Sequence, residues 1–413
     1  MKPMGAIPPG FVANAQGRLE IGGQDCEALV AQAGDTPLFV YDAALIRHKI
    51  AALRAAMPDG LAIHYAVKAN PLPALVAAVA PLVDGIDVAS GGEMASVLGY
   101  GLPVSFAGPG KRDRELEAAI AAGVVLNLES ETEATRAVAI GERLGITPRL
   151  AVRVNPDFDL KGSGMRMGGG AKPFGVDAAR APDLVRMLIT AGAEWHGLHI
   201  FAGSQALDAA AIADTQRQTV ALAAHIADAV GATPPLVNLG GGFGIPYFPG
   251  DTPVDIATVG TQLAAALESR PAILADSRFA IELGRYLVGE AGVYLTRIVD
   301  RKLSHGEVFL VTDGGLHHQL AASGNFGTVV RRNYPVAIAS RFGAAVEETA
   351  SVVGCLCTPL DRLGDQIGLP VAQAGDLVAV FMAGAYGASA SPSRFLGHGD
   401  AHEMVVNSCA IGG

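Results

Sequence analysis

From about residue 41 to residue 290 the chain repeats one unit: a short apolar run, a turn, then an Ala/Leu-rich amphipathic stretch. Short apolar runs bounded by turn residues read as buried strands, and the stretches between them carry the period of helices. Strands are predicted over 61–67, 85–89, 104–107, 124–128, 150–154, 196–201, 235–239 and 278–282, and helices over 44–57, 73–80, 92–99, 113–122, 131–144, 179–191 and 209–230. This alternation predicts an α/β chain folded as a (β/α)8 TIM-like barrel, with its chemistry at the C-terminal ends of the strands. A doubly wound open sheet is the competing arrangement. Beyond residue 290 the texture changes to β-branched runs at 292–299, 307–312, 328–339, 347–353 and 377–382, which predict a C-terminal antiparallel β-domain. Three parts are expected: residues 1–40, an N-terminal segment joining the β-domain; 41–290, the barrel; and 291–413, the β-domain.

Composition narrows the function classes. Apolar residues make up 50% of the 413 and charged residues 17%, so a large buried core is feasible and disorder is not expected. A net charge of -10 with no basic run argues against a nucleic-acid surface. The longest apolar stretch, 72–83, contains two prolines and is too short to span a bilayer. No charged-then-apolar leader opens the sequence, so a cytoplasmic location is the expectation. Of the cysteines, Cys26, Cys355, Cys357 and Cys409, the pair Cys355/Cys357 is joined by no second Cys/His pair, so no metal site is expected.

Polar and glycine-rich clusters follow the predicted strand ends. His64-Tyr65-Ala66-Val67-Lys68-Ala69-Asn70-Pro71 ends the first, and Pro71 forces the chain to turn just after one lysine. That lysine either reaches solvent or sits inside with an ion-pair or Schiff-base task. Asp87-Val88-Ala89-Ser90 ends the second strand, Arg153-Val154-Asn155-Pro156 the fifth and His199-Ile200-Phe201-Ala202-Gly203-Ser204-Gln205 the sixth. Gly240, Gly241 and Gly242 follow the seventh, and Glu282-Leu283-Gly284-Arg285 ends the eighth. Three glycines let backbone N–H groups converge on a phosphate, though a plain flexible turn explains them equally well. Neither a Walker loop nor a dinucleotide fingerprint is present, so the phosphate would belong to a small cofactor. An amine, a phosphate cradle and a barrel-end carboxylate together suit pyridoxal 5'-phosphate.

This ordered set, with Cys357-x-x-x-Asp361 and Gly384-Ala385-Tyr386, resembles the fold-type III pyridoxal-phosphate decarboxylases, which include diaminopimelate and ornithine decarboxylases, from about residue 36 to 397. The resemblance implies an alanine-racemase-like barrel in which Lys68 carries the cofactor and later donates a proton to the substrate. It implies that Glu282 pairs with the pyridine nitrogen, where alanine racemases place an arginine. It assigns the phosphate to Ser204, Gly240, Gly241, Gly242, Gly284, Arg285 and Tyr386. Asp87 and Arg153 match positions around the lysine and ring, or are structural ion pairs. Cys357 matches a residue that enters the partner subunit's site and assists protonation, which implies a homodimer with shared sites. Arg285, Thr358 and Asp361 fall at the substrate, and Lys172 and Asp361 at the interface from opposite subunits. Cys26, Cys355 and Cys409 read as small buried hydrophobes.

Two departures matter. Phe201 stands where the family usually has a histidine flat against the ring; it can stack there, and His199 is left as structural or catalytic. Thr358-Pro359-Leu360 follows Cys357, where relatives place a carboxylate for a distal ammonium. The 358–361 segment, the Phe201-to-Gln205 turn and His317-His318-Gln319-Leu320-Ala321-Ala322-Ser323-Gly324-Asn325-Phe326 look closer to a side branch. That branch includes exosortase-associated and butirosin-type glutamyl-carrier-protein decarboxylases. The expected function is decarboxylation of an amino acid or conjugate, a carrier-protein-linked one included, with a non-cationic distal end. A diaminopimelate decarboxylase and a racemase or non-catalytic cofactor carrier are the alternatives.

Overall fold

The eight apolar runs are parallel strands: β1 (Ala62–Ala66), β2 (Gly85–Val88), β3 (Val104–Phe106), β4 (Val125–Leu128), β5 (Arg149–Asn155), β6 (Glu194–Ile200), β7 (Leu236–Asn238) and β8 (Arg278–Leu283). Each pairs with the next, and β8 pairs with β1, with Glu282 opposite His64. That last pairing closes the barrel and excludes the open sheet. The strands are buried along nearly their whole length instead of alternating, because helices cover the outside and side chains fill the inside.

The computed structural model describes residues 1–324 and 331–408. These divide into two units. One comprises Ile50–Gly244 and Pro253–Gly284; the other comprises Met1–Lys49, Ile245–Thr252 and the chain from Arg285 onward.

In the barrel unit the helices have clear stops. Ser130 caps Glu131–Leu144 by accepting from the Glu133 N–H, and Gly145 ends it in the left-handed region. One helix was not expected, Ile256–Glu268, capped by Asp255. Its β-branched residues and Gly260 weaken the helical signal. The glycine has a packing reason, since a Cβ there would collide with the Ala56 carbonyl.

The second unit is built on the long strand Gly292–Ser304, which pairs antiparallel with Leu38–Asp42, Leu377–Val380 and Glu307–Thr312. Two further pairings are parallel: Glu307–Thr312 with Glu348–Val353, and Leu38–Asp42 with His402–Val406. The sheet is therefore mixed where a purely antiparallel one was expected. The reason is connection length, since residues 313–347 supply the long crossover that a parallel pair needs. Strands Arg362–Leu369 and His402–Val406 were not anticipated; Gly364, Asp365 and Gln366 interrupt the apolar pattern of the first. Of the run expected at 328–339, Val336–Ile338 is a strand, and residues 328–330 lie outside the described residues, as do Asn325, Phe326 and Cys409.

A buried polar network braces the barrel beside β4. The Lys111 amine donates to the carbonyls of Gly108 (2.8 Å) and Asn127 (2.9 Å) and to Glu133 (2.6 Å). Burial pulls this amine below the usual lysine range, against the opposing pull of Glu133. Lys111→Met strands the Glu133 carboxylate in the interior, so it should lower stability by about 3–5 kcal/mol. The double variant Lys111→Met/Glu133→Leu should recover much of that. Urea unfolding midpoints of the two variants and the wild type check this.

Candidate active site

The chain leaves β1 through a single turn, Val67–Ala69, that carries Lys68. Asn70 pins the turn: its side-chain oxygen accepts from the Leu72 N–H (3.1 Å), and its carbonyl accepts from the Tyr65 hydroxyl (2.8 Å). Because β8 lies beside β1 in register, Glu282 reaches the same end of the barrel. Its Oε1 is 3.3 Å from Lys68 Nζ. The other carboxylate oxygen is 2.9 Å from His199 Nε2, on β6. The Lys68 side chain is 44% exposed and that of Glu282 only 5%, so the amine is the accessible member of the pair. Burial alone would raise the Glu282 carboxyl, but the Lys68 charge, the His199 hydrogen bond and the Arg153 charge outweigh it and hold the group well below the usual range. The Phe201 ring centroid lies 5.5 Å from Lys68 Nζ. His199, left open by the sequence, is thus the direct partner of the central carboxylate.

The triple glycine after β7 is required by packing. Gly240 and Gly242 have φ of +69° and +95°, and a Cβ on Gly241 would collide with the Glu282 carbonyl. The turn lies against the backbone that carries the carboxylate. Ser204 lies in a two-residue strand, Gly203–Ser204, paired antiparallel with Met165–Arg166. The segment 162–170 is held by that pairing and by the Gly168 N–H to the Ala202 carbonyl (2.9 Å). Asp87 faces His64 (3.3 Å) and accepts from Ser105, while Arg153 is paired with Glu129 (2.7 Å). Asp87 and Arg153 thus each have an ion-pair partner, and the Arg153 charge also acts on Glu282. Glu129, missed in the sequence, stands directly after β4, a position that could have flagged it.

In the second unit Arg285 is buried. Its guanidinium lies 3.0 Å from the Tyr247 hydroxyl and 4.8 Å from the centre of the Tyr386 ring. Tyr334 packs on Tyr247 with ring centres 4.9 Å apart. Tyr247 and Tyr334 escaped sequence reasoning, because nothing in their local spacing links them to Arg285. Tyr386 holds a φ of +54°, uncommon for a bulky residue. Cys357 is exposed and Thr358 half-buried. Asp361 is assigned by resemblance to substrate and interface. It is buried, and its two oxygens accept from the backbone N–H groups of Leu316 (2.7 Å) and Leu356 (2.9 Å). A carboxylate so occupied shapes its own loop. A cavity of about 540 Å3 lined by Arg54, Asp84, Arg149 and His196 opens at the opposite, N-terminal end of the barrel strands and takes no part here.

A buried ionised carboxylate against an accessible amine, with a glycine turn beside it, fits pyridoxal phosphate by donor chemistry. A family model described as pyridoxal-dependent decarboxylase, pyridoxal binding domain, matches residues 43–289, more than half of the chain. The chain belongs to the pyridoxal-dependent decarboxylases. The L-glutamyl-[BtrI acyl-carrier protein] decarboxylase of Niallia circulans is 36% identical over 375 residues, covering 88% of this chain and 87% of that one. The diaminopimelate decarboxylase of Aquifex aeolicus is 32% identical, covering 97% and 93%. Among solved structures, diaminopimelate decarboxylase from M. jannaschii in complex with L-lysine aligns with a TM-score of 0.82 at 25% identity, covering 93% and 90%. The decarboxylase is a carboxy-lyase with pyridoxal phosphate as its cofactor.

Because Glu282 ionises more readily in the folded chain than in the unfolded one, where its value is about 4.3, its contribution to stability is complete above that value and is lost as pH falls below it. Glu282→Gln removes the contribution. The gap between the urea midpoints of wild type and variant should be widest near neutral pH and shrink as pH is lowered from about 6 to about 3.

Proposed function

We propose that this decarboxylase acts on an amino acid or amino-acid conjugate with an uncharged or acyl-linked distal end, a carrier-protein-bound aminoacyl group included. The observation that carries the reading is the segment after Cys357. Thr358-Pro359-Leu360 offers no carboxylate, and Asp361 has both oxygens committed to backbone N–H groups. A distal ammonium would lose its water here without gaining an anion, at a cost of several kcal/mol. The relative that by name acts on a glutamyl carrier protein supports the reading. So does a Staphylococcus aureus protein, 27% identical over 90% of this chain, named as decarboxylating an alanine-derived carbamoyl conjugate.

Bound pyridoxal phosphate supplies an electron sink for the pair left behind as carbon dioxide departs. Lys68 would attach the cofactor and afterwards carry the proton that returns to Cα. Glu282, kept ionised by Lys68, His199 and Arg153, would hold a proton on the ring nitrogen, and Phe201 would stack on the ring. The phosphate would be held by Ser204, Gly240, Gly241, Gly242, Gly284, Arg285 and Tyr386. In this reading residues 41–290 carry the cofactor, and residues 291–413 supply Cys357 and Tyr386. The working unit is a cytoplasmic homodimer in which the exposed Cys357 completes the partner's site; no described helix is long and apolar enough to cross a membrane.

The test is carbon dioxide release from free amino acids against pantetheine-linked aminoacyl thioesters. Glutamyl and other neutral-ended thioesters should turn over, while lysine, ornithine and meso-diaminopimelate should not. Faster turnover of meso-diaminopimelate would overturn the proposal in favour of the activity named for the Aquifex relative. Cys357→Ala should lower kcat by about 10²–10⁴-fold while cofactor absorbance stays unchanged.

A further inference from the structure

Strands Glu307–Thr312 and Glu348–Val353 are parallel neighbours, so the loops that follow them leave the sheet at the same end. The first loop carries His317 and the second Cys355. A third segment, after the turn Phe395–Gly397, brings His398 to the same place. One nitrogen of each imidazole and the Cys355 Sγ lie within 4.8 Å of one another. We propose that His317, Cys355 and His398 form a zinc site, with two imidazoles and a thiolate as ligands and a fourth position open to water.

The adjacent histidines make the case by contrast. His318 is fully occupied, with Nδ1 3.2 Å from the Tyr294 hydroxyl and Nε2 2.8 Å from the Gly399 carbonyl. His317 is wholly buried, yet neither of its ring nitrogens has a hydrogen-bond partner. An unsatisfied buried polar group costs about 1–3 kcal/mol, and coordination to a metal ion removes that cost. The spacing is also suitable. Tetrahedral zinc with bonds of about 2.0–2.3 Å sets its ligand atoms roughly 3.3–3.8 Å apart. Cys355 Sγ and His398 Nε2 already stand 3.7 Å apart, and the His317 and His398 ring centres are 4.6 Å apart. Small side-chain rotations bring the remaining ligand into range. A thiolate with two imidazoles selects zinc over magnesium or calcium, which prefer oxygen donors.

The sequence led to the opposite expectation, because the obvious pairing was Cys355 with Cys357. The fold separates them: Cys357 is exposed, while Cys355 faces two histidines at positions 317 and 398. An ion here would join three loops and fix the backbone two residues before Cys357.

The test uses the full-length holoenzyme, stripped with a chelator and titrated with zinc against a chromophoric competitor, and with cobalt as a coloured substitute. One equivalent per chain and a thiolate-to-cobalt absorption band are expected. Cys355→Ser should abolish the band and weaken zinc by more than about a hundredfold, beyond the ~10–100-fold typical of losing a supporting residue. His317→Ala should do the same, and Cys357→Ser should keep both band and affinity. Circular dichroism and cofactor absorbance establish that the variants are folded, and the near-isosteric Cys355→Ser decides the matter if His317→Ala does not fold. Substoichiometric zinc in the wild type, or a band that survives Cys355→Ser, would overturn the proposal.

Discussion

One buried negative charge organises the barrel. Glu282 tolerates an interior position because Lys68, His199 and the field of Arg153 oppose the cost of desolvation. Each of those groups reaches it by strand register. Pairing of β8 with β1 sets the lysine turn beside it, and β6, two strands away, turns His199 inward. A one-residue slip of β8 would point the carboxylate outward and leave an amine and an imidazole without it. Barrel closure and cofactor chemistry are therefore one geometric condition.

The glycine turn extends the same constraint. Gly241 passes so near the Glu282 carbonyl that any side chain would displace β8. The backbone that supports the central carboxylate is the same piece that would cradle the phosphate in the proposed reading. That explains why a run of three glycines reads equally as a flexible turn and as an anion loop: it needs both left-handed dihedrals and close approach.

The barrel was legible because its signal is local. Apolar runs such as 85–89 and 104–107, bounded by turns, need no distant partner to declare themselves, and their C-terminal ends mark where Lys68 and Glu282 must lie. What stayed hidden depends on long-range pairing. Nothing near Arg285 announces Tyr247 or Tyr334, nothing near Lys111 announces Glu133, and the inward turn of Asp361 follows from backbone N–H groups that sequence does not display. His199 was undecidable for a related reason, since its role depends on which group β8 places opposite it. The strand Arg362–Leu369 was missed because Gly364, Asp365 and Gln366 break its alternation while neighbouring ladders still hold it.

The second unit takes its residues from both ends of the chain. Leu38, Phe39, Val40 and Tyr41 are almost wholly buried, yet their sheet partners are Gly292–Ser304 and His402–Val406. During synthesis at ~5–20 residues per second, this strand waits roughly 12 to 50 s for its first partner to emerge. Throughout that interval it is an unpaired, apolar β-edge, the kind of segment that recruits other nascent chains. The barrel can condense while it waits, but the N-terminal strand cannot. On the ribosome, then, the hazard lies in the strand Leu38–Asp42, and it lasts until Gly292–Ser304 has been made.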